Sequence, residues 1–145
     1  MQISKFSDYG LRALMYLGAR NGQVTKAEEV AEAFGISTNH VVKSLQALVR
    51  QGWVRSMAGR GGGYVFEGSA SRIRVGEVVR QLEPNFDMAE CFAPEKNSCP
   101  LVPGCLLSTA LDGAKAAFLA ELDRYSVEDL IATKRDGLLA IGAAA

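Results

Sequence analysis

All three cysteines of this chain, Cys91, Cys99 and Cys105, lie in one stretch, CFAPEKNSCPLVPGC. Thiolates are soft ligands that suit zinc, copper or iron-sulfur clusters. Structural zinc sites bring cysteines together in close C-x2-C pairs. The spacing here is C-x7-C-x5-C, which disfavours zinc and leaves it as an open alternative. Pro94, Pro100 and Pro103 preclude regular helix across the stretch. A loose loop of this kind can wrap something larger than one ion, as iron-sulfur clusters require. Three small buried hydrophobes are the plainer reading of the same residues. If a four-iron cluster is held, three thiolates leave one iron open. Asp87, Glu90 and Glu95 in the loop, or Asp8 from a second subunit, are candidates to fill it. Asp8 has an ordinary explanation too, since an acid in the first turn of a helix offsets the macrodipole.

The elements that must carry these residues follow from periodicity. At 145 residues the chain has the size of one compact domain. MQISKFSDYG carries no apolar signal core, and no segment approaches the roughly 18 to 20 apolar residues that span a bilayer. The expectation is a cytoplasmic protein, with no membrane partner, in which thiols stay reduced. Leu11, Leu14, Met15 and Leu17 predict a first helix from Ser7 to Asn21, with Ser7 as cap. TKAE at 25–28 has capping-box spacing and predicts a second helix to about Phe34, with Val30, Ala31 and Phe34 inward. Gly35 can close it, and Ser37 can cap a third helix whose Val41, Val42, Leu45, Leu48 and Val49 form one face. Beyond Gly52, β-prone residues flank GRGGG, so a hairpin with Arg60 at its tip is expected.

RVGEVVRQLE predicts a fourth helix ended by Pro84. Past the cysteines, Leu107, Leu111, Ala114, Phe118, Leu122 and Tyr125 recur at helical intervals, and so long a stripe favours a partner helix. SVEDLIATKR adds a last short helix, acids first and cations last. The fold class is therefore mainly α with a small β-hairpin wing, a winged helix-turn-helix plus a long C-terminal dimerisation helix. The expected division is residues 1–83 as a winged helix-turn-helix DNA-binding region, 84–105 as the cysteine loop and 106–145 as the dimerisation and C-terminal helices, one compact domain per chain of a dimer.

The formal net charge is zero, but residues 1–75 hold ten Lys and Arg against five acids, while 76–145 hold six against eleven. Local charge sets the field at a contact, so the basic half suits a polyanion. In a winged helix the third helix enters the major groove and the hairpin follows the backbone or minor groove. Asn39 and His40 are placed to reach base edges, Thr38 and Lys43 to hold phosphates, and Ser44 lies among the polar outer residues. Arg60 suits a narrow minor groove. Two packed helices, an ordinary turn and solvated charges would leave similar patterns. No nucleophile-base constellation or phosphate loop argues for an enzyme.

Taken together, FSDYGLRALMYL, STNHVVKSLQALVRQGWV, GRGGGY, RVGEVVRQLEP, the three cysteines and FLAELDRYSVEDL resemble the Fe-S-dependent winged-helix repressors of bacteria, over almost the whole chain. Within that family, NHVVK and VVRQLEP resemble the nitric-oxide-sensing branch. The resemblance implies a homodimer that represses genes from operator DNA while it holds an iron-sulfur cluster, and releases them when nitric oxide destroys it. It implies Cys91, Cys99 and Cys105 as cluster ligands, with Asp8 of the other subunit as the fourth, and a 4Fe-4S cluster, 2Fe-2S remaining open. The cluster-biogenesis branch would want a histidine three residues after the last cysteine, where this chain has Ser108. A regulator of cluster biogenesis or iron status, and a zinc-stabilised winged-helix regulator, are the alternatives.

Overall fold

A computed structural model describes residues 2–141. The element order is α1 (Lys5–Ala19), α2 (Ala27–Phe34), α3 (Thr38–Arg50), β1 (Val54–Met57), β2 (Gly63–Phe66), α4 (Val75–Leu82), α5 (Leu106–Leu122), α6 (Val127–Ala132) and α7 (Arg135–Ala140). Two single turns of 3-10 helix, Glu90–Phe92 and Pro94–Lys96, interrupt the loop before α5. No helix among the described residues is long and apolar enough to cross a membrane.

Helix α1 is the spine, packing against α3, α4, α6 and α7. Its Leu14 and Leu17 belong to one buried cluster with Val30 of α2, Val41, Leu45 and Leu48 of α3, Val78 and Leu82 of α4, and Val127 and Ile131 of α6. Each such side chain, removed from water, contributes about 1.5–3 kcal/mol. The cap of α1 is Ser4, whose hydroxyl accepts from the Ser7 backbone N–H at 3.2 Å. Ser7, expected as the cap, lies inside the helix and is fully buried. Sequence pattern placed the cap one turn late because both serines can satisfy an N-terminal amide.

The start of α2 also differs. Glu29, not Glu28, reaches back to the Lys26 backbone N–H at 2.9 Å. Thr25 instead exchanges both backbone hydrogen bonds with Tyr64, at 2.9 and 2.8 Å, a single antiparallel bridge beside the two-stranded wing. Gly35 closes α2 at φ 62, the left-handed conformation that disfavours side chains, and the Ile36 N–H returns to the Ala31 carbonyl at 2.9 Å. The hairpin is antiparallel, with Val54 opposite Phe66 and Met57 opposite Gly63, and Arg60 is exposed in the connection between the strands.

Helix α5 is built differently. None of its residues is buried, and Leu106 and Leu107 are 81% and 65% exposed. It leans on α4 where Gly76 meets the far end of α5: a Cβ at Gly76 would lie 2.2 Å from the Asp123 carboxylate and 2.8 Å from the Leu119 carbonyl oxygen. Arg80 of α4 pairs with Asp123 across the same crossing, and the salt bridge holds the Asp123 carboxyl below its ordinary range. The stretch expected as a last short helix forms α6, and a further helix, α7, follows it. Ser126 caps α6 in a reciprocal pair with Asp129, whose carboxyl is lowered by those hydrogen bonds, and α7 returns to bury Leu138 in the core cluster that α1 organises.

Candidate DNA-binding face and cysteine loop

Residues 27–50 form helix, tight turn, helix, and the wing follows directly. Ser37 occupies the N-cap of α3 without a side-chain bond to its first turn, and that turn holds no acid. The helix start therefore presents its positive pole to an incoming phosphate. Asn39, His40 and Lys43 are exposed there, and Thr38 is half-exposed. His40 stacks on Tyr9 of α1, ring centroids 6.0 Å apart and planes 28° from parallel. Lys5, Phe6, Tyr9, His40 and Lys43 line one shallow concavity. Sequence reasoning missed Lys5 and Tyr9. Their spacing of four residues on α1, a cation followed by an aromatic, is the signal that would have found them.

Ser44, expected on this outer face, is fully buried. It shares the stripe of Val41, Leu45 and Leu48, and its hydroxyl donates to the Phe6 carbonyl at 3.3 Å. That position is one of packing between α3 and α1. Arg60 stands apart at the wing tip, exposed and on the far side of a glycine-rich turn.

The cysteine loop has little core of its own, Ala93 being its one buried hydrophobic among the described residues. Cys91 sits within the first 3-10 turn, the Cys99 N–H donates to Asn97 Oδ1 at 3.1 Å, and Cys105 is the N-cap residue of α5. All three thiols are free and half-buried. Phe92 lies beneath the Lys115 ammonium, 5.0 Å from ring centroid to Nζ, which lays the loop against α5. Asp8 is elsewhere, on the first turn of α1, where Arg12 grips its carboxylate through Nε and Nη2, each at 2.9 Å.

Within one chain, then, the four expected ligands are not brought together, and among the described residues no three Cys, His, Asp or Glu side chains converge on a point. The donor set still fits a soft metal centre. Three unpaired thiols on a weakly packed loop can close on iron without breaking a core, and Asp8 is exposed enough to serve another subunit.

A winged helix-turn-helix with a basic, acid-free recognition start defines the class of the protein: a DNA-binding transcription regulator. Residues 3–133 match the family Rrf2, iron-dependent transcriptional regulators, and the chain belongs to it. That family regulates transcription and does not catalyse reactions. The chain is 39% identical over 137 residues to the HTH-type transcriptional regulator NsrR of Bacillus subtilis, covering 94% of each. Among solved structures it resembles a putative transcriptional regulator from Listeria innocua, with TM-score 0.73 and 23% identity over 90% of this chain and 86% of that one. It also resembles IscR of T. potens, with TM-score 0.67 and 22% identity over 92% and 88% of the two chains.

Proposed function

We propose that this chain is a cytoplasmic homodimeric repressor that senses nitric oxide through an iron-sulfur cluster. The observation that carries the proposal is the pairing of a helix-turn-helix and wing with a separate loop that holds every thiol of the chain and little core of its own. Residues 1–83 act as the DNA-binding region, 84–105 as the cluster loop and 106–145 as the dimerising segment. Likeness over 94% of the chain to a regulator named NsrR, together with the iron-dependent family, supports this reading.

Cys91, Cys99 and Cys105 would hold the cluster, 4Fe-4S in its four-iron form, with Asp8 of the partner subunit as fourth ligand. When bound, such a cluster supplies iron with which nitric oxide reacts. A carboxylate is a harder ligand than thiolate and exchanges more readily, so Asp8 marks the open side of the site. Arg12 competes for the same carboxylate and receives it when it is released. On the DNA side, Asn39 and His40 face base edges, while Thr38, Lys43, Lys5 and Tyr9 address phosphates. Arg60 enters the minor groove. The exposed apolar residues of α5, led by Leu106 and Leu107, find cover against a second copy.

The test is anaerobic purification with iron and sulfide analysis, followed by nitric oxide titration read by visible absorption and operator binding together. The expected result is operator affinity at least about tenfold higher with cluster than without, lost as the absorption is lost. A colourless protein carrying stoichiometric zinc would replace this reading with a zinc-stabilised regulator, and equal affinities with and without cluster would end it.

A further inference from the structure

We infer that Glu83 is the positioning residue that ties the base of the cysteine loop to the recognition helix. The inference rests on the cluster-dependent reading above and names how the loop's state reaches DNA. Glu83 is the last residue before Pro84, the C-cap of α4 and the root of the loop. Its carboxylate crosses to the start of α1, where it accepts from the Ser4 backbone N–H at 3.1 and 3.2 Å, from Ser4 Oγ at 3.1 Å and from Ser7 Oγ at 2.5 Å. Hydrogen bonds to an ionised acceptor are shorter and stronger than neutral ones. This carboxylate therefore pins the first turn of α1, the turn that bears Asp8.

The connection continues inward. Phe6, between the two serines, offers its carbonyl to Ser44 Oγ of α3 at 3.3 Å. Ser7 and Ser44 are both fully buried, so neither hydroxyl has water as an alternative partner. Packing reinforces the same route. Gly10 of α1 lies so close to Leu82 that a Cβ would fall 2.3 Å from its Cδ1. A displacement of the loop root is transmitted by Glu83 to Ser4 and Ser7, then by α1 to Ser44 and the DNA-facing residues beside it. Neither Glu83 nor Ser44 faces DNA, so both act on recognition only through position.

Two variants and two readouts test this. Glu83→Gln keeps the size and replaces one acceptor oxygen with a donor, and Ser44→Ala deletes the last hydroxyl while leaving the helix stripe apolar. In the dimer with cluster, iron content and visible spectrum should match the wild type, while the ratio of operator affinities with and without cluster should fall from about tenfold or more to within about twofold. In cluster-free protein, amide exchange in the first two turns of α3 should speed by about tenfold or more in Glu83→Gln, with α6 unchanged. Wild-type affinity ratios in both variants would overturn the inference. If the wild type itself shows no dependence on cluster, the functional reading fails, and unchanged α3 exchange then overturns the positioning role independently. Should Glu83→Gln not fold, Ser44→Ala decides by the same ratio.

Discussion

Helices α3 and α5, of 13 and 17 residues, differ in how the chain around them covers them: one is anchored by fully buried side chains and the other rests on α4 without a buried residue. In α3, Val41, Leu45 and Leu48 are fully buried against α1 and α2, and the outward residues are polar. In α5 no residue is buried, and leucines stand in solvent at the end nearest the cysteines. Apolar periodicity is satisfied within the chain in the first case, and in the second only in part, Leu111, Phe118 and Leu122 being half-buried while Leu106 and Leu107 are exposed. The chain thus separates a well-buried helix-turn-helix from a helix whose leading leucines are the surface that the proposed dimer would cover.

The sharpest way to break this contrast is to truncate both helices alike. Leu45→Ala should cost about 2–5 kcal/mol in denaturant unfolding, the usual result for a buried leucine. Leu107→Ala should cost the chain less than about 0.5 kcal/mol, but Leu107→Asp should raise the dissociation constant of the proposed dimer about tenfold or more by sedimentation. Comparable unfolding losses for the two alanine variants would erase the distinction. Next in size, Gly76→Ala forces a methyl into Asp123 and the Leu119 carbonyl and should cost about 1–3 kcal/mol, with loss of protection at the end of α5 but not in α3.

Gly35→Ala sharpens the other side. At φ 62 an alanine is strained by about 1 kcal/mol, and the cost should appear as lower thermal stability of the helix-turn-helix. The smallest effect belongs to the Arg80–Asp123 pair. Its carboxyl is held below the ordinary value of 3.8 in the folded state, so its contribution is complete above about pH 4 and disappears as pH falls through the folded value. Both side chains are more than a third exposed, which limits the contribution to less than about 1 kcal/mol. Asp123→Asn should therefore lower stability slightly at pH 7, with the difference from wild type shrinking as pH falls below the ordinary carboxylate range, read by thermal melts across that range.

The helix-turn-helix and wing were legible because their signals are local: Gly35 after an apolar run, glycines between β-prone pairs, a 3.6 period in α3. What escaped were partnerships across long sequence distances. Thr25 satisfies a capping pattern on paper, but its backbone pairs with Tyr64, and no local rule weighs that strand against a cap. The polarity of Ser44 predicts the outer face, whereas the Phe6 carbonyl lets its hydroxyl sit in the apolar stripe. Helix α7 carries little periodicity, its structure depending on Leu138 reaching the core that α1 organises. For the candidate metal site the sequence offers residue types alone, and their assembly is a matter for two chains, because one chain does not bring Asp8 to the thiols.

The crossing at Gly76 gives α5 the mechanics of a lever. The fulcrum lies near Leu119, while Cys105 is at the opposite end, about 20 Å away at 1.5 Å per residue. A pivot of about 5° at the fulcrum sweeps Cys105 through about 2 Å, comparable to the helix shifts of about 1–2 Å that switch subunit interfaces elsewhere. Amplification of this kind needs no flexible joint within the helix, only a short footing and a long arm.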